Sequence, residues 1–258
     1  MRTAGGIASF FLFCSFFSAQ PSQPEPLSSQ QQNSPITQDL SHGATFTVRI
    51  APGLPEFTFK ALPHFEQADD NGDPQSTIRE VQVFRGDSRH AGQILNGCSW
   101  EAMEPPRVGW EWFRAADINF DGYKDIYILT NWGVTGNQFG CVWLYNPATG
   151  SFDFSSAFSQ LETMTLHPES KTITTFSNDG NAGNDFHAAK YAVENNRLVL
   201  IMQIAQDWDS GRQQFHCVVK QRRGHGSELA TLHDVWTPPG ENGDGPCDMN
   251  GIVHASTR

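Results

Sequence analysis

The chain has 258 residues and a formal net charge of −11, with 38 % hydrophobic and 17 % charged residues and many Gly (23), Phe (19) and Trp (7). That mixture excludes an acidic disordered tail, which would lack aromatics, and a coiled coil, which would be far richer in charge. With 17 Lys and Arg against 28 Asp and Glu, a nucleic-acid or anionic-membrane surface is excluded as well, because both need clustered positive charge.

Residues 1–19 carry one positive charge, Arg2, then an apolar run over 7–17 and the small residues Ser18 and Ala19. This is the layout of a secretory signal peptide, whose apolar core is too short to span a bilayer. Cys14 does not mark a lipid anchor, because Phe13 stands where such a site needs a small residue. Residues 20–41 are Gln, Pro and Ser almost throughout; they hold too few apolar side chains to offset the entropy of ordering and read as a disordered linker. The folded domain is then 42–258. No other apolar run approaches membrane-spanning length, so a periplasmic or secreted protein with no membrane span is predicted. Cys98, Cys141, Cys217 and Cys247 lie in that domain, and an even number in an oxidising compartment predicts two disulfides. Three pairings are possible; nearness in sequence favours Cys98 with Cys141 and Cys217 with Cys247.

From Ala44 onward the chain alternates with period two, over 45–50, 57–59, 78–84, 125–129, 141–145, 198–202 and 215–219. Runs this rich in β-branched and aromatic residues predict strands. Turn chemistry falls between them, at 69–74, 147–150, 178–180 and 194–196. No window of a dozen residues has helical periodicity, so the class is all-β. Two architectures fit. A β-propeller blade takes ~40–45 residues, which gives about five blades over 42–258; a β-sandwich is the alternative.

One constellation is specific. Asp117, Asn119, Asp121, Gly122 and Asp125 stand in a D-x-N-x-D-G-x-x-D pattern. Calcium takes six or more oxygen ligands, and a tight loop presents side chains from alternate positions, with Gly at the sharp turn. The predicted ligands are Asp117, Asn119 and Asp121, the backbone carbonyl of Tyr123, and Asp125 closing the shell. Because 126–129 reads as a strand, the Ca²⁺ would brace a hairpin and take no part in catalysis. Two other polar loops, 69–73 and 178–185, read as a hairpin turn and a surface loop.

No G-x-S-x-G elbow, H-E-x-x-H helix or phosphate-cradling loop is present. A glycosidase needs two carboxylates across a bond, and Glu101 with Glu111, beside Trp100, Trp110 and Trp112, is the pair nominated. The sequence thus points to binding, with no catalytic residues assigned. Arg212, Lys220, Arg222, Arg223 and His225 form a basic run in an acidic chain, a candidate docking patch for an acidic partner loop. Trp132, set among glycines just beyond the cation hairpin, is a candidate interface anchor.

The order of these motifs carries a resemblance. DINFDGYKD at 117–125, the strand IYIL, Thr135-Gly136-Asn137, the run Val142 to Pro147, Thr149-Gly150-Ser151-Phe152, Ser159-Gln160-Leu161, Lys171 to Phe176 and Asn196 to Ile201 together resemble an exported bacterial family of calcium-binding, FG-GAP-like β-propellers. Its best-known type is a five-bladed periplasmic immunity protein of xanthomonads. That type inhibits, with calcium bound, a peptidoglycan-cleaving effector of a type IV secretion system. The similarity runs over about 78–223 and implies a monomeric, calcium-dependent inhibitor of a secreted, lysozyme-like peptidoglycan hydrolase. Residue by residue it carries over the cation ligands alone. A carbohydrate- or surface-binding module using Trp132, Trp143 or Trp208, and a calcium-dependent glycosidase, are the alternatives.

Overall fold

Alternation builds the first sheet. Strand β1 (Ala44–Arg49) buries Ala44, Phe46 and Val48 and exposes the residues between them, and its antiparallel neighbour β2 (Glu56–Phe65) answers with Phe57, Phe59 and Ala61. Strand β3 (Ser76–Arg85) continues the meander, and the short β4 (Gln93–Ile94) closes it. The β2–β3 register shifts between Leu62 and Pro63. A bulge is where a strand tolerates a residue with no N–H. These coordinates come from a computed structural model, in which residues 43–65, 76–99, 112–224, 228–240 and 245–247 are described. The predicted signal peptide, the linker, the 69–73 loop, Trp100, Glu101, Trp110, Glu111 and His225 lie outside them.

The second sheet holds β5 (Phe113–Ala116), β6 (Asp125–Trp132), β7 (Gln138–Asn146) and β8 (Ser151–Phe154) in sequence order. Residues 126–129 of β6 and 142–145 of β7 are buried without alternation, as befits strands covered on both faces. Phe152 meets Phe57 and Phe59 of the first sheet edge-on at 5.5 and 5.3 Å, and Phe46 stacks on Phe113 at 4.2 Å. After β8 the single turn α1 (Ser156–Ser159) buries Phe158 against the same core. Trp143 is fully buried and its indole donates to the Asn96 carbonyl at 2.8 Å. It is core, and unavailable to stack on a sugar.

The third sheet runs β9 (Thr165–His167), β10 (Thr172–Gly180), β11 (Asp185–Glu194), β12 (Arg197–Asp209), β13 (Gln214–Arg222) and β14 (Leu229–Thr237), again paired in chain order. Its near end, through Ile173 and Val193, joins the main core; Phe186, Ala188, Met202 and Ile204 form a smaller second core. Both disulfides pair neighbours in sequence: Cys98–Cys141 ties the chain after β4 to β7, and Cys217–Cys247 ties β13 to residues 245–247.

The protein is therefore all-β, and among the described residues it has three antiparallel sheets of four, four and six strands, none closed on itself. Among the described residues three sheets stand where length suggested five blades. The third is larger than a four-stranded blade because β9 to β14 all pair with their neighbours in chain order. Among the described residues no helix is long and apolar enough to cross a membrane.

Candidate functional site

The 117–124 loop lies where all three sheets meet. It leaves β5 and enters β6, and Lys124 N donates to the carbonyl of Ile50, just beyond β1, at 2.9 Å. From the third sheet, Lys171 Nζ reaches the Phe120 carbonyl at 3.4 Å, and Asn119 Nδ2 donates to Asn196 Oδ1, in the β11–β12 turn, at 2.9 Å. Phe120 (φ 60°) and Gly122 (φ 94°) take the left-handed conformation that the sharp turn needs.

Within the loop the acidic side chains order the backbone. Asp117 Oδ1 and Oδ2 accept from the N–H groups of Asp121 and Gly122, both at 2.9 Å. Asn119 Oδ1 accepts from Asp121 N at 3.2 Å, and Asp121 Oδ1 from Tyr123 N at 2.9 Å. Asn119 Nδ2 also donates to Asp121 Oδ2 at 2.8 Å. Each carboxylate oxygen keeps a further lone pair after one such bond. Burial raises the pKa of Asp117; the charge of Asp121 adds to this, while the N–H donors oppose it.

Asp125 is placed differently from the rest of the predicted ligand set. It is fully buried, its Oδ2 accepting from Ile118 N (2.9 Å) and Asn119 N (3.2 Å) and its Oδ1 from Tyr145 N (2.9 Å). Burial pushes its pKa up to about 7 against three donors that favour the charged form. It joins loop to β7. Among the described residues no three His, Cys, Asp or Glu side chains converge as a metal-holding group. The donor set that fits a hard cation is thus Asp117, Asn119 and Asp121, two anionic side chains and one amide from alternate positions. The Tyr123 ring packs 5.4 Å from that of Tyr145.

A second feature follows β6. In the 133–137 turn, Gly133 N donates to Asn137 O (2.8 Å) and Gly136 N to Gly133 O (2.9 Å). The buried Asn137 amide clasps β10: Nδ2 donates to Ser177 Oγ (3.2 Å) and the Asn178 carbonyl (3.1 Å), and Oδ1 accepts from Asn178 N (2.7 Å). Asn178 Nδ2 returns a bond to the Thr135 carbonyl at 3.2 Å. At the tip of this braced turn stands Val134, with 108 % relative exposure, while the next large apolar side chain, Leu232, reaches 46 %. Trp132, the predicted anchor, is partly buried against the main core and supports the turn from below. Sequence gave no signal for Val134, because nothing local distinguishes an outward valine from a core one.

The basic run does not form one patch. Arg212, in the β12–β13 turn, stacks on Trp236 at 4.1 Å and lies 3.9 Å from Asp209. Arg222 donates from Nε to the Leu200 carbonyl at 2.8 Å at the far end of the nine-residue β13, with exposed Arg223 beyond it. The two ends are about 30 Å apart. Trp208 packs edge-on against Phe215 at 4.8 Å.

No protein-family model matches the chain, and no curated protein matches it. Among solved structures it is similar to a Xanthomonas type IV secretion system related protein, with a TM-score of 0.47 and 14 % identity, over 77 % of this chain and 97 % of that one. A likeness at that level decides neither fold nor function.

Proposed function

We propose that the chain is an exported recognition protein, a calcium-braced inhibitor of a lysozyme-like peptidoglycan hydrolase. The observation that carries this reading is the Val134 tip: an apolar side chain held in water on a turn whose backbone is fixed from both sides. A convex apolar point fits a concave partner, and its rigidity lowers the entropy lost on docking. The acidic net charge of −11 would steer a basic partner. The motif order over about 78–223 and the lack of a catalytic motif support inhibition over catalysis.

In this reading Asp117, Asn119 and Asp121, with the Tyr123 carbonyl, hold Ca²⁺, and Asp125 fixes the loop to β7. The cation supplies charge neutralisation at the junction of the sheets. The same reading takes each four-stranded meander as a propeller-type blade. Turnover of cell walls by a panel of muramidases, with the protein in calcium or in chelator, tests the proposal. Inhibition in calcium is expected, weakened by chelation and by about thirtyfold in Val134→Asp. Unchanged hydrolysis across the panel overturns it.

A further inference from the structure

The third sheet carries a depression of about 320 Å³ that borders the Asn137 clasp at Ser177 and contains no residue of the 117–125 loop or the 133–137 turn. This is the lower end of the range for small-ligand sites, about 300–1,000 Å³. Its floor is a row of short or polar residues side by side on three strands, Thr175, Ala189 and Gln203, with Ser177 opposite His187 in the next row. Glu162, from the segment after α1, and Tyr191 also line it, with the apolar Leu161, Phe176 and Ala188 beside them.

Inside it one carboxylate orders two neighbours. Ser177 Oγ donates to Asp179 Oδ1 at 2.8 Å, and His187 Nδ1 is hydrogen-bonded to Asp179 Oδ2. With Nδ1 engaged, Nε2 of the His187 ring remains for a further hydrogen bond. The side chains of His187 and Asp179 are 49 % and 35 % exposed, so the pair adds little to stability.

The lining decides which one. Asp179 and Glu162 are acidic and, among the described residues, no Lys or Arg lines the depression, which disfavours phosphates and carboxylates. Carboxylate, amide, hydroxyl and imidazole together ask for a ligand whose groups both donate and accept, and the apolar Leu161, Phe176 and Ala188 suit its C–H groups. We propose that this depression binds a neutral saccharide, with Glu162, Asp179, His187 and Gln203 taking its hydroxyls. The assignment is independent of the inhibitor reading.

Titration of the isotope-labelled full chain with an N-acetylglucosamine trimer and with maltotriose, followed by NMR, tests it. Saturable shifts at His187 and Gln203 with either sugar are expected, weakened about tenfold in His187→Ala and in Gln203→Ala with the melting temperature held. Val134→Asp should bind as the parent does. No saturable shift up to roughly 10 mM sugar, shifts confined to Trp208 or Trp236, or undiminished binding in both variants would overturn it.

Discussion

Asp125 holds three backbone donors on two oxygens inside the core. Asp125→Ala leaves all three unpaired, and because an unmet buried donor costs about 1–3 kcal/mol, a loss of at least about 3 kcal/mol is expected in urea denaturation. Asp121, exposed on the same loop, acts on a different quantity: chelation should lower the melting temperature of the parent protein, and Asp121→Ala should abolish that calcium response, which differential scanning calorimetry reads directly. His167 gives the pH dependence. Its Nε2 lies 3.0 Å from Thr174 Oγ1, and burial, with the nearby Lys190 charge, lowers its pKa. The unfolded chain therefore binds the proton more readily. This contribution is whole above the ordinary histidine value of about 6.5 and is lost as pH falls from there through the depressed folded value. Asp125, with its pKa raised to about 7, acts in the opposite sense over the same range, so the slope of His167 is read as the difference between thermal melts of the parent and of His167→Gln from pH 7.5 to 5, the parent losing more as pH falls.

The clasp between the 133–137 turn and β10 joins residues 41 apart in sequence. Asn137→Ala removes three hydrogen bonds from a buried amide, and a cost of about 1–3 kcal/mol is expected, with faster amide exchange at 133–136 in NMR. A nearby contact is tighter still: a Cβ on Gly140 would stand 2.3 Å from the Tyr127 ring, so Gly140→Ala should destabilise by about 1–3 kcal/mol through overpacking. Which elements were legible follows from burial. Strand β1 was plain because one face is buried and the other wet; β6 and β7 were plain because they are short apolar runs bounded by turns. Strand β14 gave no pattern, since Thr231, Leu232, His233 and Asp234 are all exposed and period two vanishes when neither face is covered.

At the scale of the molecule, the two staples close loops of 43 and 30 residues, each worth about 4 kcal/mol in the chain-entropy account. The tight 117–125 turn was legible from spacing, but the three backbone donors on Asp125 were not, because they come from segments whose approach the local pattern does not encode. The basic residues misled for the converse reason: closeness in sequence becomes distance once an extended strand lies between them. Strand order within the sheets has a further consequence. Among the described residues every sheet is a meander of strands consecutive in the chain, so a polypeptide made N-terminus first can pair β1–β4 before β5 arrives, and β5–β8 before β9. Folding can then proceed directionally, and the Cys217–Cys247 bond can form only after β14 has been made.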